Sequence, residues 1–175
     1  MSDFVQEVLA VSSEETYLFF SITCISAPTL GVVAGGSFFS AIGGYNNPRA
    51  FKWCMIIGSW ALVFAAPLPF SEEKWLTYCC TWMLLFVGAS ILTPLTGIML
   101  NAVEESRRPA ANSLATLIYN LLGYFPAPFL YGAIAEKGNG TEDEIFWSRA
   151  AMGTLMTWTI IVSVFIIAGF LDKKF

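Results

Sequence analysis

The chain contains no histidine. That absence removes imidazole-based catalysis, haem ligation through histidine and most zinc chemistry. Cysteine is sparse: Cys24, Cys54, Cys79 and Cys80 all sit inside or at the edge of apolar runs, and no two stand in C-x-x-C spacing. They read as small apolar side chains, with a disulfide or a metal site as the alternative. Neither a cofactor nor a metal site is expected. Charge is scarce as well, at 13% of 175 residues. Segments 16–48, 53–71, 75–103, 109–135 and 150–171 contain no Asp, Glu, Lys or Arg at all. The opening MSDFVQEVLAVSSEET carries four acids and no cation, so it does not read as a signal peptide. The formal net charge of −4 comes from acids crowded into a few loops. No acidic tail is implied, and nucleic-acid binding has no footprint.

What the chain does have is apolar length. Its hydrophobic fraction is 56%, above the roughly 45–50% usual in soluble domains. About 20 helical residues cross a hydrocarbon core of about 30 Å, and each charge-free segment is of that length. The runs are continuously apolar, which excludes the short alternating strands of a membrane barrel. The fold class is therefore all-α: a polytopic transmembrane bundle forming one domain over 1–175, with spans at about 16–40, 51–70, 75–101, 110–134 and 146–171. Tyr17, Trp53, Trp75 and Trp147 fall at span ends, where amphipathic rings favour the interface. The lipid bilayer is the first partner.

Alternating spans place Arg49, Lys52, Arg107, Arg108, Lys173 and Lys174 on one side, and only Lys74, Lys137 and Arg149 on the other. The cation-rich side is expected in the cytoplasm. The N-terminus is then outside or lumenal and the C-terminus cytoplasmic. A sequon, Asn139-Gly140-Thr141, falls in an outer loop.

The stretch VVAGGSFFSAIGGYNNPRAFKW (32–53) is rich in glycine, yet no Lys follows its second glycine pair, so it is not a phosphate loop. Burying Arg49 and Lys52 at mid-membrane would cost about 2.5–3.5 kcal/mol each, so the chain must surface. Residues 43–52 are expected to form a tight cytoplasmic hairpin. Gly35 and Gly36 precede it inside the first span, where small residues let two helices approach closely.

That spacing resembles the cytoplasmic loop signature of the major facilitator superfamily, Gly-x-x-x-Asp-Arg-x-Gly-Arg-Arg. Gly36 and Gly43 match its glycines, Ser40 and Ala41 stand at its Asp and Arg, and Gly44 and Tyr45 replace its basic pair. EESRRPAANSLATLIYNLLGYFPAPFLYGAIAE is similar to the cytoplasmic loop and eleventh helix of spinster-like and related organic-solute carriers of that superfamily. ITCISAPTLGVVAGG is similar to their eighth helix. The resemblance implies that the five spans correspond to helices eight to twelve, with residues 4–11 as the outer end of helix seven. It also implies a missing N-terminal half of six to seven helices, whether the chain is a fragment, a split gene or a truncated gene model.

In such carriers the substrate path runs near the midplane, beside helices interrupted by Gly or Pro. The first span carries Pro28 and Gly31, the third Pro94, and the fourth Pro126 and Pro128. The resemblance makes these hinges, although Pro and Gly are simply commoner in membrane helices. Substrate-binding candidates are Thr23, Thr29, Thr93, Thr96, Tyr119, Asn120 and Tyr124. Asn120 is the most conspicuous, because an unsatisfied amide in hydrocarbon is costly; it is either interhelical glue or a substrate contact. Glu104, Glu105, Arg107 and Arg108 are either a solvated loop or a cytoplasmic gate that pairs across two bundles in one state. No carboxylate lies within a span, so proton coupling has no obvious seat here.

The implied function is alternating-access transport of an organic, amphipathic or lipid-like solute. The alternative is a non-transporting membrane scaffold. An intramembrane enzyme would need a His, a buried carboxylate or a nucleophile with a basic partner; no catalytic residue is found.

Overall fold

In the computed structural model the described residues are 2–44, 47–138, 140 and 143–171. Tyr45, Asn139, Thr141, Lys173 and Lys174, used above, lie outside them. Every regular element among the described residues is helical. In chain order these are α1 (Ser2–Leu9), α2 (Ser13–Ala41), α3 (Pro48–Ala65), α4 (Lys74–Asn101), α5 (Arg108–Ile118), α6 (Pro126–Ala135) and α7 (Glu144–Leu171). Short 3₁₀ turns lie at Leu68–Phe70, Glu105–Arg107 and Glu136–Gly138, and a π-helical segment, Tyr119–Tyr124, joins α5 to α6. Four stretches are long and apolar enough to cross a membrane: Ser13–Ala41, Arg49–Phe70, Lys74–Asn101 and Glu105–Gly138. The 28-residue α7 covers the fifth expected span.

Local chemistry sets the helix ends. Ser12 caps α2 by accepting from the Glu15 amide at 3.3 Å, the first half of an S-x-x-E box. The expected hairpin over 43–52 is shorter than its sequence suggests. α2 ends at Ala41, and Asn47 and Pro48 already start α3. Proline is pre-organised for the first helical position, and the Asn47 side chain accepts from the Arg49 amide at 2.9 Å. Its amide also donates to the Ile42 carbonyl at 2.7 Å, closing the turn from the other side. Gly43 and Gly44 make that turn with φ of 103° and 75°, a region that excludes most side chains. Arg49 and Lys52 consequently belong to a helix, not to the loop.

α2 and α4 run parallel and share the most extensive contact among the described residues, α3 lies antiparallel against α4 and also meets α7, and α6 packs on α7. Thr23, Ala27, Gly31, Gly35 and Phe39 are buried at four-residue spacing along α2. A Cβ on Gly31 would collide with the Phe86 carbonyl and come within 3.0 Å of the Ala89 Cβ, and one on Gly35 would collide with the Ser90 carbonyl. Between lipid-embedded helices such close approach supplies the packing that water would otherwise drive. Gly36, expected to share this role, has open space around its Cβ direction. It lies one residue, and hence about 100°, round the helix from Gly35.

Two buried clusters mark the ends of the bundle. At one, Phe4 and Val5 of α1 pack with Tyr78, Tyr131, Ala151 and Met152. At the other, Phe39 meets Ala50 and Cys54. The first end is also tied by charge. Lys74 donates to Glu15 at 2.8 Å, Ser148 donates to Glu7 at 2.6 Å, and Arg149 pairs with Glu72 at 3.6 Å. Residues far apart in the chain thus hold α1, α2, α4 and α7 together.

Candidate functional site

The fourth span differs from the rest. Of its most apolar stretch 6% is buried, against 17–33% in the other three candidate spans. α6 is packed on α7, while α5 makes only sparse contact with α4. Asn112, Thr116 and Asn120 are all exposed on it, one turn apart. Their side chains satisfy one another's backbone. Thr116 donates to the Asn112 carbonyl at 2.9 Å, and the Asn120 amide donates to the Thr116 carbonyl at 2.9 Å. Asn120 is itself exposed, so its side chain is not covered by the rest of the bundle.

Where this stripe ends, the helix widens. The Phe125 amide reaches back five residues to the Asn120 carbonyl at 2.9 Å. Proline lacks an amide proton and its ring clashes with the carbonyl four residues earlier. Pro126 and Pro128 therefore remove two closely spaced rungs of the ladder, on either side of Ala127, and a π turn relieves the clash. Such single π turns are frequent at functional sites. The widened turn exposes Tyr119, at 44% of its surface, beside Asn120. The side chain of Tyr124 lies outside the described residues.

The other prolines behave differently. α2 is continuous through Pro28, and α4 through Pro94. Gly31 is filled on its open side by the Phe86 backbone, so it acts here as a contact point between helices.

The structure separates the remaining substrate candidates. Thr23 was expected on an open face, but it is 1% exposed, because it belongs to the same stripe as Ala27 and Gly31 and is covered by α4. Its hydroxyl has no hydrogen-bond partner among the described residues. Thr29 is exposed and donates to the Ile25 carbonyl at 2.6 Å. Thr93 and Thr96 are partly buried on α4, and Thr96 donates to the Leu92 carbonyl at 2.9 Å. Among the described residues no side-chain hydrogen bond joins any two of these candidates. Only Tyr119 and Asn120 fall together.

The charged turn pairs locally. Arg107 lies 3.6 Å from Glu104, Arg108 lies 3.2 Å from Glu105, and Arg108 also donates to the Leu100 carbonyl at 3.1 Å. Glu104, Glu105 and Arg107 are well exposed and Arg108 is partly so, so the pairs hold little energy.

Two features escaped the sequence reading. Thr116 completes the polar stripe, and the i, i+4 spacing of Asn112, Thr116 and Asn120 was the signal for it. The link from Trp82 to Ser26, at 3.0 Å between indole nitrogen and hydroxyl, ties α2 to α4 within the seam, beyond the Lys74–Glu15 pair at its end. It had no signal in either span alone.

No family model matches the chain, and no solved structure matches it. The chain is similar to Protein spinster homolog 1 of Xenopus laevis, with 28% identity over 130 residues, 71% of this chain and 24% of that protein. It is likewise similar to Protein spinster homolog 1 of Xenopus tropicalis, with 26% identity over 133 residues and the same coverage, 71% and 24%. It therefore spans about a quarter of the length of these curated relatives. Together with the four apolar spans, the similarity makes this an integral membrane protein distantly related to the spinster homologs.

Proposed function

We propose that the chain is the C-terminal bundle of a major facilitator carrier, moving an organic, amphipathic or lipid-like solute by alternating access. The observation that carries this reading is the fourth span. It is apolar enough to cross a membrane, yet it is barely covered by its own bundle and bears a polar stripe beside a π turn. In carriers of this kind the path runs between two bundles, beside discontinuous helices. Asn112, Thr116, Tyr119 and Asn120 line that path, with Thr29, Thr93, Thr96 and Tyr124 as further contacts. Pro126 and Pro128 set the hinge, and Pro28 and Pro94 add weaker points of bending. A second bundle, supplied by the part of the relatives that this chain does not match, covers the stripe. The end bearing Arg49, Lys52, Arg107 and Arg108 faces the cytoplasm, and the turn from Glu104 to Arg108 exchanges its local pairs for pairs across the bundles when that side closes. The reading is of a carrier, not an enzyme.

The test is flux. Protein purified in mild detergent, with any bundle that copurifies, is reconstituted and offered a panel of radiolabelled amphipathic solutes. Saturable uptake that falls in Asn120→Leu supports the carrier. Folded protein with no uptake of any solute supports the scaffold instead. Saturable flux by a lone monomer would contradict the need for a second bundle.

A further inference from the structure

The described cations fall into two groups. Lys74, Arg107, Arg108 and Arg149 each have a carboxylate within 4 Å, at 2.8, 3.6, 3.2 and 3.6 Å. Lys137 lies 5.7 Å from the centre of the Trp147 ring. Arg49 and Lys52 have neither kind of partner among the described residues, and both are exposed. They stand at the beginning of α3, at the cation-rich end of the bundle. Two unpaired positive charges at a membrane surface call for an anion.

Below each cation runs an apolar stripe at helical spacing. Ile56, Ser59, Trp60 and Val63 follow Lys52 and line a groove of about 300 Å³. Trp53, Ile57 and Trp60 follow Arg49, and Ile57 and Trp60 line a second groove of about 300 Å³, which reaches Phe38, Gly35 and Val87 across α2 and α4. Trp60 is shared by both grooves and is 56% exposed. Trp53 is edge-on to Phe38, which lines the second groove, with ring centres 5.2 Å apart.

We propose that this face of α3 binds one anionic phospholipid of the surrounding bilayer. Its phosphate sits between Arg49 and Lys52, and its two acyl chains run in the two grooves on either side of Trp60. Depth agrees with that occupant. From Lys52 to Val63 is eleven residues, roughly 16 Å at the helical rise, and one leaflet of a core of about 30 Å is about 15 Å deep. Charge agrees as well, because basic residues beside the membrane surface are attracted by anionic headgroups. The site lies on α3, away from the polar stripe of the fourth span, and does not depend on transport.

The test is lipid retention in native mass spectrometry, on protein purified in uncharged detergent and titrated with phosphatidylglycerol or phosphatidylcholine of the same acyl chains. The expected result is one phosphatidylglycerol retained per chain in preference to phosphatidylcholine. Arg49→Gln with Lys52→Gln should weaken that retention roughly 30-fold, whereas Arg49→Lys with Lys52→Arg should preserve it. Lys137→Gln should leave it unchanged, and Trp60→Ala should weaken retention of both lipids. Equal retention of the two lipids by the unaltered protein would overturn the proposal, whatever the variants do. So would undiminished phosphatidylglycerol binding in the glutamine variant, or a copurifying polypeptide on this face that phosphatidylglycerol cannot displace.

Discussion

The α2–α4 seam and the fourth span are both long, apolar and interrupted in sequence by glycine or proline, yet they are built to different ends. In the seam every small residue that matters is covered: Gly31 and Gly35 sit against backbone carbonyls, and Ser26 and Trp82 are tied across the two helices. In the fourth span Asn112, Thr116 and Asn120 are uncovered, and Thr116 and Asn120 bond back to their own helix. Composition alone does not distinguish a packing helix from a lining helix. What distinguishes them is whether small and polar residues share the buried stripe or oppose it. On α2, Thr23 shares the stripe with Ala27 and the glycines and is buried with them; on α5, Asn112 and Thr116 stand on a face left exposed among the described residues.

The comparison is most sharply broken at the glycines. Gly35→Ala and Gly31→Ala place a methyl group against backbone that cannot swing aside, and each should destabilise the bundle by about 1–3 kcal/mol. Gly36→Ala, with open space around it, should leave the thermal midpoint in detergent unchanged. A midpoint for Gly35→Ala equal to that of Gly36→Ala would mean that the seam is not closed as described. Trp82→Phe keeps the ring and loses the bond to Ser26. Interhelical hydrogen bonds in membranes average about 0.6 kcal/mol, so a smaller drop is expected from the same melting measurement. Lys74→Gln should lower the midpoint less again, since its ion pair with Glu15 leaves both side chains about 40% exposed and exposed pairs are weak.

On the fourth span the order reverses: stability is unmoved while flux suffers. Asn120→Leu should melt like the unaltered protein and lower solute uptake about tenfold, the worth of one lost polar contact. Arg107→Ala with Arg108→Ala should leave expression and solute affinity intact and slow uptake. A variant that fails to accumulate, or that transports at the normal rate, would remove the turn from the switching mechanism.

Much of this was legible in the chain. The charge-free runs foreshadowed the long helices and the all-helical fold, because an apolar run of that length is most easily satisfied as a helix. Arg49 was harder to place, since its position depends on Asn47 and Pro48 starting a helix earlier than charge alone suggests. Pro126 and Pro128 announced a break, but Pro28 and Pro94 carried the same signal and their helices continue; a single missing amide is tolerated where two within three residues are not. The pairs at the first end of the bundle were invisible, because Glu15 and Lys74 are 59 residues apart, and Glu7 and Ser148 are 141 apart. The site was only half legible. Asn120 stood out as an amide in an apolar run, but Thr23 looked no different from it until α4 covered one and left the other open.

On the proposed function, the stripe on the fourth span faces a watery path and the stripe on α2 does not. Single cysteines at positions 112, 116 and 120, and at position 27 in the seam, are introduced into a background lacking the four native cysteines. They are then exposed to a membrane-impermeant thiol reagent in sealed and opened vesicles. The account predicts labelling at 112, 116 and 120, slowed by transported solute, and none at 27. Labelling of 27 at a comparable rate, or a stripe that stays unlabelled from both sides, would contradict it.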